Sequence, residues 1–278
     1  MNDTQELAED TLKPIDLRKV FESKNPKLAR WMPRFVFNWL KKIICLDDIN
    51  DFIVKHGNRK DLDFADAIME YLNLSLDIQH VENLPPADGR YLFVSNHPLG
   101  GPDGIALISF LGSRYPKLKF PVNDILLNLK NLNNIFLSVN KHGKQSKEAV
   151  KAIEEAYASD CQIIMFPAGL CSRKIKGVVK DLEWKKNFIT EAVKHQRDVV
   201  PIYIGGQNSD FFYNLSNFRK KIGLSNIEML WLHKEANRKK NSTLTLKVGK
   251  PIPWQTFDKS KKPQEWATEV KEILYSYK

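Results

Sequence analysis

The amino-acid sequence predicts an α/β fold with a largely parallel central sheet flanked by helices and an N-terminal helical appendage. Three observations predict it. From residue 75 onward, short apolar runs rich in β-branched and aromatic residues recur at regular spacing; helix-like stretches lie between several of them; and no repeat, low-complexity tract or long linker interrupts the series. We therefore expect an N-terminal helical segment over 1–74 and one α/β domain over 75–278.

The elements follow in order. After an acidic start, residues 24–44 carry Trp31, Phe35, Phe37 and Trp39 among Lys27, Arg30, Arg34, Lys41 and Lys42. Pro33 suits a first helical position, and a helix from there places Arg34, Asn38, Lys41 and Lys42 on one face. Phe35, Val36, Trp39, Leu40 and Ile43 fall on the other. Such a helix either lies on anionic lipid, with Trp31, Phe35, Trp39, Lys41 and Lys42 at the contact, or packs on its own domain. Both readings stay open at this point. A second helical stretch covers 61–74. Strands are expected at 76–81, 91–94, 135–139, 162–166, 199–204 and 243–248, and helices at 103–111, 145–158 and 184–194. An amphipathic helix over 263–277 closes the domain.

Composition narrows the classes of function. A chain of 278 residues, 42% of them hydrophobic, can bury a sizeable core. Its longest apolar stretches, such as 105–111, are far shorter than the ~20 residues that cross a bilayer, and no N-terminal signal pattern precedes them. We expect a cytoplasmic protein, peripheral on the inner face of the cell membrane. Cys45, Cys161 and Cys171 are an odd count without metal-ligand spacing, which suits reduced thiols and implies neither zinc nor a disulfide framework. The net charge of +10 favours an anionic partner: nucleic acid, an acidic carrier protein or an anionic membrane surface. The runs Arg238-Lys239-Lys240 and 259–262 accompany no nucleic-acid-binding motif, and charge runs are usually solvated faces, so no nucleic acid is expected.

The most informative stretch is Ser95-Asn96-His97-Pro98-Leu99-Gly100-Gly101-Pro102-Asp103-Gly104. It follows the strand-like run Tyr91-Leu92-Phe93-Val94 and precedes a helix-like run from Ile105, so one histidine and one aspartate sit around a strand-to-helix turn. An imidazole held by a carboxylate accepts a proton from a hydroxyl, and the carboxylate fixes the tautomer. No Gly-x-Ser-x-Gly elbow supplies a protein nucleophile, so the simplest mechanism activates the substrate's own hydroxyl or amine. The plainer alternative makes Asp103 a helix cap and His97 a loop histidine.

Three more strand ends carry polar loops, where ligands of open α/β sheets bind. They are Asn140-Lys141-His142-Gly143-Lys144, then Pro167-Ala168-Gly169-Leu170-Cys171-Ser172-Arg173-Lys174, then Gly205-Gly206-Gln207-Asn208-Ser209. The first suits a phosphate or carboxylate. In the second, backbone N–H groups and two cations suit an anion or a polarised carbonyl. None is a Walker loop or a Rossmann fingerprint.

The order of Asn-His-Pro-Leu-Gly-Gly-Pro-Asp-Gly, Val-Asn-Lys-His-Gly, Phe-Pro-Ala-Gly-Leu-Cys-Ser-Arg-Lys and Val-Val-Pro-Ile-Tyr-Ile resembles the four blocks of the glycerolipid acyltransferase superfamily, whose best-known members acylate lysophosphatidic acid. The blocks span roughly residues 91–208. The resemblance implies His97 as general base and Asp103 as its orienting carboxylate. It implies an acyl thioester donor on coenzyme A or acyl carrier protein, a lyso-lipid hydroxyl as acceptor, a membrane surface as partner, and no metal or redox cofactor. It makes Asn96, Gly100, Gly101, Lys141, His142, Pro167, Ala168, Gly169, Ser172, Arg173 and Lys174 the candidate substrate-binding residues. Gly169 backbone and the Arg173 side chain are the candidates for holding the negative charge that develops on the thioester oxygen. Two departures stand out: five residues separate His97 from Asp103 where the family has four, and Ala168 replaces a glutamate that helps bind the acceptor. The Asn-His-Pro-Leu-Gly-Gly and Phe-Pro-Ala-Gly variants look like the branch named for haemolysin, similar to the O-acyltransferases that complete ornithine or glycine aminolipids in bacteria. That branch implies a lyso-aminolipid acceptor, with lysophosphatidic acid second. The rival readings are a catalytically inactive lipid-binding protein of the same fold and a hydrolase that activates water.

Overall fold

A computed structural model of the chain describes residues 14–24, 26–139, 146–224 and 226–278. In chain order, the helices α1 (Leu17–Lys24), α2 (Pro26–Trp31), α3 (Arg34–Ile43), α4 (Leu46–His56) and α5 (Asp61–Leu72) precede the first strand, β1 (Ser75–Gln79). Then come β2 (Tyr91–Ser95), α6 (Gly101–Gly112), β3 (Leu118–Asn123), β4 (Phe136–Val139), α7 (Lys147–Ala158) and β5 (Gln162–Met165). A hairpin, β6 (Arg173–Ile175) and β7 (Val178–Lys180), leads to α8 (Asn187–His195), β8 (Asp198–Ile204), α9 (Asp210–Lys221), α10 (Leu232–Asn237), β9 (Thr243–Val248) and α11 (Pro263–Ser276).

Among the described residues, seven strands form one sheet in the order β1-β9-β8-β2-β5-β3-β4. Neighbours pair in parallel except β8 with β9, which are antiparallel. The expected α/β fold with a largely parallel sheet is what forms. β2 runs through the middle, and all five of its residues are buried because helices cover both faces. Phe93 enters one core layer with Phe64, Leu107, Val200 and Leu246. Leu92 and Val94 enter the other with Ile163, Phe188, Val199 and Val270.

Several elements escaped the sequence for identifiable reasons. β3 contains Pro121, which argues against a sheet interior because it donates no ladder bond. β3 pairs with β5 only at Leu118 and Lys119, so Pro121 lies past the end of that ladder and faces only Leu137 of β4. The β6–β7 hairpin turns at Lys176 and Gly177, both with positive φ (49° and 81°). That conformation matches the twist of a two-residue hairpin but normally shows itself as Asn-Gly. Helix α9 starts at Ser209, whose hydroxyl accepts the Phe212 N–H, inside what reads as a loop.

The N-terminal region also departs from its expected faces. α3 buries Phe37, Leu40 and Ile43, and the first two join Leu17 and Leu46 in a small cluster. Phe35 and Trp39 fall outside that arc and stay exposed, 73% and 53%. They therefore do not share the face of Leu40 and Ile43; they stand beside the exposed Arg34, Lys41 and Lys42. Trp31, 82% exposed, stands at the end of α2. α5 belongs to the main core through Phe64, Ala65, Met69 and Leu72, and its Asp66 accepts the Ser109 hydroxyl of α6 at 2.6 Å.

Arg197, between α8 and β8, is fully buried and bonds main-chain carbonyls. Its guanidinium donates to Tyr157 O (2.8 Å), Cys161 O (2.7 Å), Ala156 O (3.2 Å), Ser159 O (2.5 Å) and Tyr91 O (3.4 Å). These oxygens close the C-terminus of α7, where partial negative charge collects, and the entries to β5 and β2. Arg197→Met keeps the apolar stem and strands the carbonyls, so we predict a loss of ~3 kcal/mol or more, read as a lower midpoint in urea denaturation.

Candidate functional site

The strand order explains why three distant loops meet. β8, β2 and β5 are adjacent and parallel, so the loops leaving their C-terminal ends, after Ile204, Ser95 and Met165, open on the same edge of the sheet. Cross-links hold them together. The Asn96 side chain, buried, accepts the Ile204 N–H and donates to Ile204 O, both at 2.7 Å. The Ser172 N–H donates to His97 O at 2.7 Å.

At the centre, His97 Nδ1 lies 3.0 Å from Asp103 Oδ2. The same oxygen accepts the N–H groups of Leu99 (2.8 Å) and Gly100 (3.0 Å). Asp103 is fully buried in the first turn of α6, so it both caps the helix and orients the imidazole. The turn between them absorbs the extra residue. Gly100 takes φ 94°, a backbone conformation that strains any residue with a side chain, and a Cβ there would also press on the tip of Leu232. With Nδ1–H donated to Asp103, the Nε2 lone pair is left to accept a proton. The ring stacks on Phe166 at 4.0 Å, which fixes its plane.

Burial raises the Asp103 pKa, and its hydrogen bonds with His97 and the two backbone N–H groups oppose that rise. Burial pulls the His97 pKa down, but the adjacent Cys171 sulfur and the Asp103 carboxylate outweigh it and push it above the ordinary 6.5. Such an imidazole is a strong base once neutral, and its neutral fraction grows as pH rises through that elevated value.

The remaining candidates divide by placement. Gly101 is exposed at the first turn of α6, and Pro167 is buried beside the site. Ala168 turns into the core with Leu92, Val94 and Trp184, where an acidic side chain would be buried among apolar neighbours. The Gly169 N–H donates to Phe166 O at 2.9 Å within the turn. Arg173 is buried. It donates to Glu228 Oε1 at 2.6 Å and to Cys171 O at 2.6 Å, while Arg219 holds the other Glu228 oxygen at 3.0 Å. Its charge thus supports the loop from below. Lys174 pairs with Asp210 at 2.7 Å on the surface. Lys141 and His142 lie outside the described residues.

Sequence reasoning missed Asp181. Its Oδ1 accepts the His97 N–H (3.1 Å) and the Ser172 hydroxyl (2.5 Å), and its Oδ2 accepts Trp184 Nε1–H (2.9 Å). No motif marks it. A cavity of about 240 Å³ beside this cluster is lined by Asn96, Pro98, Ser172, Tyr203, Gln207 and Tyr275.

Comparison with known proteins yields a family model described as acyltransferase, which matches residues 19–276. The lyso-glycine lipid O-acyltransferase of Bacteroides thetaiotaomicron is 49% identical over 271 residues, 97% of this chain and 99% of that one. The protein of the same name from Phocaeicola vulgatus is 47% identical and covers 97% of each chain. Among solved structures, the 1-acyl-sn-glycerophosphate acyltransferase of Thermotoga maritima aligns over 94% of this chain and 95% of its own, with 19% identity and a TM-score of 0.49.

The geometry predicts that His97 titrates above pH 6.5 and that Asp103→Asn, which removes the carboxylate, brings its pKa down toward the ordinary value. Histidine Cε1–H resonances followed by NMR across pH 5–10 check both.

Proposed function

The chain belongs to the acyltransferase family, and from that membership and the site's geometry we propose that it moves a fatty acyl group from an acyl thioester to the hydroxyl of a lyso-lipid. The acceptor is a lyso-aminolipid of the glycine type. The observation that carries the chemistry is the 3.0 Å contact between His97 Nδ1 and Asp103 inside a helix-capping turn. The names of the two relatives at 49% and 47% identity support the acceptor.

In this mechanism the acceptor hydroxyl hydrogen-bonds His97 Nε2. As its oxygen attacks the thioester carbonyl, the proton passes to Nε2, and Asp103 stabilises the imidazolium without taking the proton. The tetrahedral intermediate collapses, the C–S bond breaks, and the imidazolium returns the proton to the departing thiolate. The ester forms with no group left on the protein and no metal or redox cofactor required. The donor's carrier is coenzyme A or acyl carrier protein, both anionic, which suits a net charge of +10. An intact His97–Asp103 pair favours this over an inactive lipid-binding protein.

The N-terminal surface gives the enzyme its place of work. Trp31, Phe35 and Trp39 project from α2 and α3 among exposed cations, the composition of an interfacial contact with anionic lipid. No helix among the described residues is long and apolar enough to cross a membrane. The reading places the chain peripherally on the inner face of the cell membrane, within reach of its acceptor.

Three outcomes are expected. Purified protein acylates lyso-glycine lipid from one of the two thioester carriers, and His97→Ala lowers the rate by about 10²–10⁴-fold; an unaltered rate in that variant would falsify the mechanism. Its kcat rises with pH through the His97 titration, since only the neutral ring accepts a proton. In vesicle co-sedimentation, Trp31→Ser/Phe35→Ser/Trp39→Ser binds anionic vesicles at least ~tenfold more weakly than wild type.

A further inference from the structure

We propose that Asp181 is a positioning residue for this reaction: one carboxylate clamps the main chain of His97 and the Ser172 hydroxyl, and helix α11 holds that carboxylate in place. The proposal rests on the acyl-transfer reading for its rate assay and on distances for its geometry.

The clamp has two sides. On the side facing the site, Oδ1 accepts from His97 N–H (3.1 Å), which belongs to the loop after β2, and from Ser172 Oγ–H (2.5 Å), which belongs to the loop after β5. The Ser172 N–H donation to His97 O at 2.7 Å completes a closed ring of bonds between the two loops. On the far side, the peptide of Asp181 is itself anchored. Its N–H donates to Tyr275 Oη (2.7 Å), and its carbonyl accepts Lys271 Nζ (2.8 Å), which also reaches Leu182 O (2.8 Å). Both anchors stand on α11, some 90 residues away in sequence.

The residue type fits the role. Three donors converge on the two oxygens, counting Trp184 Nε1–H at 2.9 Å, and only an ionised carboxylate is an acceptor at both. An isolated carboxylate at 6% exposure would be costly to bury, so the donors and the acid hold one another. The consequence reaches the base. The His97 peptide plane sets the direction of its Cα–Cβ bond, and with it the 3.0 Å approach of Nδ1 to Asp103. Releasing the N–H lets that plane rotate, and a misplacement near 1 Å at a reacting group lowers a rate by ~10²-fold.

The test uses Asp181→Ala, Asp181→Asn and Ser172→Ala in the full chain, with steady-state kinetics on lyso-glycine lipid, the NMR titration of His97 and thermal unfolding. Asp181→Ala is expected to lower kcat ~100-fold while the acceptor KM stays within about threefold. The His97 pKa moves down as its contact with Asp103 loosens. Asp181→Asn keeps one acceptor oxygen and recovers at least ~tenfold of the loss. Ser172→Ala shifts both readouts in the same direction by less, and adding it to Asp181→Ala changes nothing further, because both delete the same bond. A folded Asp181→Ala with wild-type kcat and an unmoved titration overturns the proposal, as does full additivity of the two variants. If Asp181→Ala does not fold, Ser172→Ala decides alone, and wild-type kcat with an unmoved His97 pKa overturns it. A wild type that transfers no acyl group ends the functional reading instead, and the titration shift in Asp181→Asn then decides the positioning role by itself.

Discussion

The site depends on one buried carboxylate. Asp103 Oδ2 gathers the imidazole N–H and two main-chain N–H groups, so the capping of α6, the path of the Pro98–Pro102 turn and the tautomer of His97 are set by a single atom. The cap and the His97–Asp103 pair, which look like competing explanations in the sequence, are one arrangement. Gly100 makes it possible by adopting φ 94°, a conformation in which a side chain is strained. The cost of burying the acid is offset only while its donors stay in place, so the turn has little freedom to relax.

Around that centre the chain is held by main-chain oxygens and nitrogens more than by ion pairs on the surface. Asn96 joins β2 to β8, Ser172 joins the β2 and β5 loops, and Arg197 gathers the ends of α7 and the starts of two strands. Asn96 and Arg197 act through buried side chains bonded to backbone and Ser172 through its main-chain N–H, and each acts where strands that neighbour in space are far apart in sequence. Buried ionic groups follow the same rule: Glu228 lies between Arg173 and Arg219, and this triad braces the loop under the site without pointing a charge into it.

Most of the fold was legible because β2, β5 and β8 are continuous apolar runs, the mark of strands covered on both faces. β3 was hidden by Pro121, and the hairpin by a Lys-Gly turn that lacks the usual asparagine. The His97–Asp103 pair was legible because both partners sit on one short turn whose glycines and prolines announce it. Arg173 and Ala168 show the limit. A cation in a glycine-bearing loop suggests an anion outside, yet its partner Glu228 is 55 residues away in sequence. An alanine in place of an acid reads as a change of substrate, yet its side chain faces the core. Asp181 carried no signal, since a lone aspartate after a hairpin looks like any solvated turn until α11 folds against it.

The strand order also makes the site lopsided. β1 and β9 run against the other strands, so among the described residues β8, β2, β5, β3 and β4 present their C-terminal ends on the His97 edge and β9 and β1 their starts. His97 leaves β2, second from one end of the former group. At the usual 4.7–4.9 Å between strands, about 14 Å of sheet extends from β2 to β4 and about 14 Å from β2 to β1. What differs between the two sides is the kind of chain end on the His97 edge: three C-terminal strand ends on one side, and one C-terminal end followed by two strand starts on the other. Loops that follow strand ends therefore crowd His97 from the β5, β3 and β4 side, while on the other side only the loop after β8 does so.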